Sequence, residues 1–287
     1  MDYITELFCT LDDFCKKFNA ELEKSLISDQ KTRQRKSKLS LSEAMTIIIL
    51  FHKSGFRFFK YFYCHMVCPF WKSAFPQLVS YNRFVEIMPS CLQALTTFFH
   101  QIKGQDTGIS MIDSTKLTVC HNLRIQRHRV FKGLAGRGKS STGWFYGFKL
   151  HLIINHLGEV INLKLTSGNV HDTAVIEQLT HQLKGILLGD KGYLSKAKTE
   201  LLASRGLRLI TPKRRNMKQN KPMTADDKVL LSKRGLIETV NDQLKNLHHI
   251  EHSRHRSVFN FMVNMMAAVV AYCLNPSKPK SQRMIKM

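Results

Sequence analysis

The chain has 287 residues, of which 44 are Lys or Arg and 21 are Asp or Glu, giving a formal net charge of +23. Hydrophobic residues at 43% and charged residues at 23% are ordinary globular values, which excludes wholesale disorder and collagen-like fibres. The length suffices for one large or two modest domains with a buried core. So large a positive charge attracts polyanions, and nucleic acid is the usual partner of a soluble protein with this charge.

An anionic membrane surface is the competing polyanion, but stable attachment there needs a hydrophobic anchor. The longest apolar runs, Met45 to Phe51 and Met265 to Leu274, fall far short of the roughly 18 residues that a membrane-spanning helix requires. The amino terminus carries Asp2 and Glu6 where a secretory signal would carry Lys or Arg. Seven cysteines without the spacing of a disulfide framework are typical of reduced thiols. The sequence therefore predicts a cytoplasmic protein without a membrane partner.

The sequence pattern of residues 1–104 predicts a smaller, all-helical region. Ser40 or Ser42 is expected to cap the helix that contains the first apolar run, with Glu43 as an early acid. A basic stretch without an acid, residues 31–38, lies just before it. A later helix is expected to open at Ser80. Two interpretations stay open: a small helical core with a solvated basic face, or a helical module for DNA binding or oligomerisation.

From residue 105 the pattern changes to strands. Alternating polarity predicts strands from Thr107 to Val119, from Tyr146 to Ile154 and from Glu159 to Thr166. The elements expected after them are a helix from Thr173 to Leu183, a buried strand from Ile186 to Leu188, a helix from Ser195 to Ser204, a strand from Leu207 to Thr211 and a long helix from about Asp227 to Leu247. This order describes a mixed α/β sheet with helices on both faces. Residues 276–287 form a basic tail.

Three carboxylates stand out in this region. Asp113 shares a strand face with apolar residues, where a carboxylate is costly unless it is paired or binds a cation. Asp190 follows the buried run between glycines, and open α/β sheets bind ligands beyond the carboxyl ends of their strands. Glu238 shares a helix stripe with Arg234 and Lys245. Taken singly, each also fits a plainer role: a strand-end Asp that reaches solvent or an Arg, a turn Asp, and a surface salt-bridge ladder.

Taken together, the carboxylates predict a metal site. Two or three carboxylates that converge from two strands and a helix form an oxygen cage suited to Mg²⁺ or Mn²⁺. Two such ions about 4 Å apart would stabilise both the attacking and the leaving oxygen of a phosphodiester displacement. Lys and Arg around the cage would hold the phosphate backbone. A group of carboxylates surrounded by Lys and Arg side chains predicts a nuclease or a polynucleotidyl transferase.

Four motifs follow one another along the chain: Met111-Ile112-Asp113-Ser114-Thr115, Gly168-Asn169-Val170-His171-Asp172, Gly189-Asp190-Lys191-Gly192-Tyr193 and Arg234-x3-Glu238-x6-Lys245. In this order, and with a closing helical stretch from Ser257 to Leu274, the chain resembles DDE-type transposases of bacterial insertion sequences. The resemblance covers residues 105–275. It implies a ribonuclease-H-like catalytic domain over these residues.

The resemblance also implies an activity. Asp113, Asp190 and Glu238 would be the catalytic residues and the ligands of Mg²⁺ or Mn²⁺, with two ions expected. The enzyme would cleave the ends of its own element by hydrolysis and join them to target DNA by transesterification. Its partner would be double-stranded DNA in the bacterial nucleoid, bound by a homodimer or a larger assembly.

One position departs from the family pattern. Many relatives place a Tyr three residues before the Arg of the last motif, and this chain has Leu231 there. The role of that Tyr at the DNA end is therefore not carried over, whereas Arg234 and Lys245 are expected to contact phosphates. His171 and Asp172 are expected to have a structural or supporting role.

A further stretch imitates a nucleotide site. Gly133-Leu134-Ala135-Gly136-Arg137-Gly138-Lys139-Ser140 fits the Walker A pattern, but a P-loop needs a buried strand before it and a helix after it. Here basic residues precede the stretch and a strand follows. We therefore predict a Gly-rich loop against DNA phosphates, and no nucleotide cofactor. The residues expected to contact DNA are Arg127, Arg129, Lys132, Arg137, Lys139, Lys213, Arg214, Arg215, Arg234 and Lys245.

Two other functions stay open on the sequence. A ribonuclease-H-like, structure-specific nuclease would cut DNA by its shape and ignore any inverted repeat that flanks the gene. A non-catalytic DNA-binding protein, descended from a decayed or co-opted transposase, would bind DNA with a steep salt dependence but show no metal-dependent turnover.

Overall fold

The structure, a computed structural model, describes residues 3–25, 37–140, 143–212, 223–251 and 255–280. Contacts divide these residues into two compact units. The first comprises the described residues within Met1–Ile102, Asn246–Ile250 and His255–Leu274, and the second those within Lys103–Lys245, Glu251–Arg254 and Asn275–Met287. Among the described residues, no helix is both long enough and apolar enough to cross a membrane.

The described helices are α1 (Tyr3–Ser25), α2 (Leu41–Lys53), α3 (Phe59–Phe62), α4 (Cys68–Phe70), α5 (Tyr81–Ile87), α6 (Cys91–Ile102), α7 (Ile176–Leu179), α8 (Lys196–Ser204), α9 (Ala225–Ser232), α10 (Gly235–Asn246) and α11 (Val258–Cys273). The strands are β1 (Ile109–Cys120), β2 (Gly136–Ser140), β3 (Gly143–Asn155), β4 (Val160–Ser167), β5 (Gly185–Leu188) and β6 (Leu207–Ile210). A π-helical turn at Tyr63–Val67 and 3-10 turns at Met88–Ser90, Asn122–Arg127, Asp172–Ala174 and Lys191–Tyr193 join some of them.

The first unit is helical, as predicted, and its α2 begins with a capping box. The Ser40 hydroxyl accepts a hydrogen bond from the backbone NH of Glu43 (3.1 Å), and the Glu43 carboxylate accepts one from the NH of Ser40 (2.7 Å). Ser40 is therefore the cap, whereas Ser42 donates its hydroxyl hydrogen to Asp12 (2.8 Å). Most of the basic stretch at 31–38 lies outside the described residues.

Helix α11 belongs to this first unit. It begins after Ser257, whose hydroxyl accepts from the NH of Asn260, and it packs against α2 and α6. Nearly every residue from Phe261 to Tyr272 is buried, so the helix is apolar all round and needs neighbours on every side. The sequence-based boundaries placed residues 105–275 together, whereas α11 finds its neighbours among the amino-terminal helices.

The second unit is built on one mixed sheet in the order β2-β3-β1-β5-β6, with β4 paired to β3 beside β2. Strand β1 is antiparallel to β3 and parallel to β5, which places it at the centre. On one face, Ile112 joins a buried cluster with residues of α7 and α8. On the other face lies α10, whose Asn241 reaches Asp113. Every strand predicted from the sequence is present.

Two predicted helices are shorter than expected. The helix predicted from Thr173 to Leu183 is a 3-10 turn followed by the single turn of α7. β-Branched residues, which disfavour helix, occur at 173, 175, 176 and 180. The long helix predicted from Asp227 to Leu247 is broken into α9 and α10. The break follows Ser232, whose hydroxyl donates to the carbonyl of Val229 (2.7 Å), and α10 restarts at a glycine.

A reciprocal histidine pair is buried in the first unit. Nδ1 of His52 lies 2.6 Å from the carbonyl oxygen of His248, and Nδ1 of His248 lies 2.9 Å from the carbonyl oxygen of His52. Because a carbonyl oxygen only accepts, both Nδ1 atoms carry the hydrogen. Within the part of the chain that the structure describes, the buried Nε2 atoms have no partner, and burial lowers the pKa of both rings, which keeps them neutral. Burial lowers the pKa of His52 to about 3.

This pair predicts acid sensitivity. A pKa lowered by folding means that the unfolded chain binds a proton first, so stability is lost as the pH falls below the ordinary value of 6.5 towards 3. We expect His52→Asn, whose amide keeps the donor near Nδ1, to reduce this loss by up to about 1.4 kcal/mol per pH unit. Urea unfolding at pH 7, 6 and 5 measures it, with the exposed His65→Asn as control. Equal pH slopes in wild type and His52→Asn would contradict the assignment.

Candidate active site

The site is built on the register of two parallel strands. Met111 of β1 lies opposite Leu188 of β5, so two residues further along each strand Asp113 and Asp190 occupy neighbouring positions. Adjacent strands are about 4.8 Å apart, and residues in register share a face. Asp113 is partly buried within the sheet, whereas Asp190 follows the end of β5 and is exposed. The structure therefore brings these two predicted residues side by side.

The Asp113 carboxyl has an unusual environment. Its pKa is raised from 3.8 to about 6, mainly by burial and to a smaller extent by the negative charges of Asp190 and Glu238. The backbone NH of Ser114 and the Arg234 guanidinium act in the opposite direction. The raised pKa shows that the folded protein leaves Asp113 short of compensating positive charge.

Glu238 lies on α10, close enough for its charge to act on Asp113, but its carboxylate is bound elsewhere. It accepts a hydrogen bond from Nη2 of Arg234 (2.5 Å), one turn earlier. The Glu238 side chain is 59% exposed and that of Arg234 only 19%. Within the described residues, no three His, Cys, Asp or Glu side chains are grouped closely enough to hold a metal ion. The Arg234 guanidinium therefore neutralises Glu238 and also lowers the pKa of Asp113.

Asn241 is a site residue that the sequence analysis missed. Its Nδ2 donates to Oδ2 of Asp113 (3.0 Å), while its Oδ1 is buried and has no hydrogen-bond partner among the described residues. Asn241 is 8% exposed and lies one turn after Glu238 on the same face of α10. The sequence did contain a signal for it, because a residue three positions after Glu238 lies on the same face of a helix. A buried amide oxygen beside the Asp113 carboxylate is the kind of ligand that a hard divalent cation takes.

Comparison with known proteins identifies the family. The sequence profile described as "Transposase DDE domain" matches residues 103–258, which is more than half of the chain. The chain belongs to the DDE transposase family. No curated protein sequence matches it.

One solved structure confirms the fold class. Over 96% of this chain and 72% of the other, the structure is similar to a piggyBac transposase in a synaptic complex with hairpin DNA, with a TM-score of 0.52 and 10% sequence identity. This likeness confirms the predicted fold class, a ribonuclease-H-like mixed sheet flanked by helices with a helical region before it. A simian T-cell lymphotropic virus intasome in complex with the PP2A regulatory subunit B56 gamma also aligns, over 71% of this chain and 61% of that chain, with 13% identity and a TM-score of only 0.26.

A second polar cluster supports the DDE site from the opposite face of β1. Asp172 accepts hydrogen bonds from the Ser114 hydroxyl (3.1 Å) and from Nζ of Lys149 (3.0 Å). A Cβ on Gly192 would lie 3.3 Å from the other Asp172 oxygen, so the turn after Asp190 runs against this carboxylate. Burial also raises the pKa of the nearby Tyr193 hydroxyl. The Asp172 motif thus ties the residue after Asp113 to the turn after Asp190.

The Walker-like stretch of the DDE domain is a turn followed by strand β2, which pairs with β3. The predicted Gly-rich loop is therefore wrong for residues 136–140. The glycines have a packing role: a Cβ on Gly138 would lie 2.2 Å from the carbonyl oxygen of Gly168, and one on Gly136 would lie 2.4 Å from the Asn169 side chain. Glycine is required at these two positions because strand β2 makes close contact with the segment after β4.

The predicted DNA contacts fall into three groups. Five are exposed on one continuous segment before and within β2: Arg127, Arg129, Lys132, Arg137 and Lys139. Two are on or beside α10 and already paired, Arg234 with Glu238 and Lys245 with Glu251 (3.5 Å). The three others, Lys213, Arg214 and Arg215, lie outside the described residues.

The raised pKa of Asp113 gives a stability prediction. Because its folded pKa of about 6 exceeds the ordinary 3.8, the charged form is penalised and stability is lost as the pH rises through this interval. Without divalent metal at pH 8, Asp113→Asn should therefore raise the free energy of unfolding by about 1–3 kcal/mol.

Urea unfolding in a chelator measures this gain, and the gain should vanish below pH 4. Asp226→Asn, which removes the same charge from an exposed position of α9, is the matched control and should change little. A destabilised Asp113→Asn at pH 8 would show that the carboxylate is compensated after all.

Proposed function

We propose that this protein is a transposase that cleaves DNA at the ends of its own element and joins the freed strands to target DNA. The observation that carries the proposal is the position of Asp113 on β1 beside Asp190, which lies just after the end of the neighbouring parallel strand β5. Glu238 on α10 is close enough for its charge to act on Asp113. Family membership supports the reaction class. The exposed basic segment of the same domain supports DNA as the substrate.

The residues present fit a divalent cation, and we assign Asp113, Asp190 and Glu238 as the catalytic carboxylates that would hold Mg²⁺ or Mn²⁺. The unpartnered Oδ1 of Asn241 and the uncompensated charge at Asp113 support this assignment. Two bound ions would activate the attacking oxygen and stabilise the leaving oxygen. Asn241 donates a hydrogen bond to one oxygen of Asp113, which would orient this carboxylate towards the ion.

Arg234 has two roles in this proposal. In the metal-free protein its guanidinium pairs with the Glu238 carboxylate and lowers the pKa of Asp113. For Glu238 to join the two aspartates, its carboxylate has to leave Arg234. The released guanidinium is then available to a DNA phosphate, for which its planar donors are suited.

The DNA would be double-stranded, at the element ends and at the target. Its phosphates would lie against Arg127, Arg129, Lys132, Arg137 and Lys139, with Lys213, Arg214, Arg215 and Lys245 as further contacts. We propose that a homodimer or larger assembly forms on DNA, because two ends have to be joined in one reaction. The helical region of residues 1–104 would bind DNA or a second copy.

The proposal is tested by a nicking assay on a DNA fragment that carries the flanks of the protein's own gene. With Mg²⁺, the wild type should produce site-specific 3′-hydroxyl ends, and a chelator should abolish them. Asp190→Ala should reduce cleavage at least 1000-fold, a loss typical of a residue that stabilises the transition state, while leaving DNA affinity nearly unchanged. Asp226→Ala, an exposed carboxylate of the same domain, should cut at the wild-type rate.

The outcomes separate the proposal from its alternatives. Cleavage of branched DNA that ignores the flanking sequence would favour a structure-specific nuclease. Salt-sensitive binding with no cleavage in Mg²⁺ or Mn²⁺ would favour a non-catalytic DNA-binding protein. An Asp190→Ala variant that cuts at the wild-type rate would overturn the assignment of the carboxylates.

Asn241 gives a test that does not depend on turnover. Asn241→Leu keeps a side chain of similar size but removes the donor to Asp113 and the free amide oxygen. We expect Mn²⁺ affinity to fall about 10- to 100-fold, as it does when the partner of a metal ligand is removed. Electron paramagnetic resonance titration with Mn²⁺ measures it. Unchanged affinity in Asn241→Leu would exclude Asn241 from the metal site.

A further inference from the structure

Trp144 is a tryptophan on the surface of the DDE domain. It is the second residue of strand β3, after Gly143, and 53% of its surface is exposed to solvent. The other tryptophan of the chain, Trp71, packs against Phe62 and Phe75. A large aromatic side chain is usually buried, so one that stays in solvent is informative about binding.

Two cations hold the Trp144 ring. Lys139 of β2 lies directly opposite Trp144 across the hairpin, and Arg137 lies two residues earlier on the same face of β2. The Arg137 guanidinium is 5.1 Å from the ring centroid and Nζ of Lys139 is 5.9 Å from it. The Asn122 amide donates to the Trp144 carbonyl (2.9 Å) and fixes the backbone. The ring is thus presented in place, with more than half of the residue open to solvent.

The surroundings favour an anionic ligand over an apolar one. From residue 114 to residue 158 the sequence contains no Asp or Glu. Within it, the exposed Arg124, Arg127, Arg129 and Lys132 adjoin β2 along the chain. A protein partner would be expected to meet a mixed or apolar surface. An exposed ring in contact with two cations, on a segment without an acid, instead suits a flat aromatic ligand that carries its own phosphate.

We propose that Trp144, Arg137 and Lys139 form a stacking site for an unpaired nucleobase of DNA. The base would stack on the open part of the indole ring, and the two cations would bind the phosphates on either side of that base. In a paired duplex both faces of a base are already stacked, so the site would select a strand end, a flipped base or a single strand. The inference rests on the proposed function, because it takes DNA as the partner.

The two tryptophans allow a direct test. In full-length Trp71→Phe, Trp144 is the remaining tryptophan, and its fluorescence reports what touches its ring. Oligodeoxythymidylate should quench it by more than half, and an abasic oligonucleotide of equal length and charge should quench it by much less. A blunt duplex should bind with weak quenching. Circular dichroism confirms that the variant is folded.

Affinity gives the second readout. Trp144→Ala should weaken binding of oligodeoxythymidylate roughly 10-fold or more, and Trp144→Phe should recover most of the loss, because the contribution comes from stacking. Binding of the abasic strand should be equal in all three proteins. Equal quenching by the thymidylate and abasic strands, or equal affinity of Trp144→Ala, would overturn the stacking site while leaving metal-dependent cleavage untouched. Failure of every DNA to bind would instead overturn the proposed function.

Discussion

The register of β1 between two different neighbours is the constraint on which the site depends. Its antiparallel pairing with β3 and its parallel pairing with β5 place Asp113 level with Asp190. A slip of one residue would turn Asp113 to the opposite face, towards the buried cluster that contains Ile112. Gly136 and Gly138 allow β2 to pack closely against the segment after β4. Asp172 contacts both Ser114 of β1 and the turn after β5, and so links these two elements.

Charge is segregated within the DDE domain in a way that serves its proposed chemistry. Asp113 and Asp190 lie near the carboxyl end of β5, where burial makes the Asp113 carboxylate costly to ionise. The basic residues are exposed along one continuous segment that contains no acid. Arg234 pairs with Glu238 and lowers the pKa of Asp113. A polyanion bound on the basic surface and a divalent cation at the carboxylates would each relieve an unfavourable charge that the fold maintains.

Much of this could be predicted from local patterns. Alternation along β1 and β3 and the short apolar run of β5 predicted the strands, because a pleated strand repeats every two residues. Prediction was poorer where tertiary contacts compete with propensity. The stripe from Asp227 to Leu247 continues across a break at Lys233 and Arg234, so periodicity alone could not detect it. The Walker-like glycines were understandable only once Gly168 was seen to contact them.

The sequence by itself determined the family, the order of the motifs, the fold class and the excess of positive charge, because these depend on residue identity and local spacing. The tertiary structure alone decided which side chains meet. It places Asp113 beside Asp190 and turns Glu238 to Arg234, since an ion pair one turn apart on a helix forms without any metal. It brings Asn241 to Asp113 from 128 residues away, and it leaves Trp144 in solvent. Contacts over such separations are set by strand register and helix packing, which no local pattern specifies.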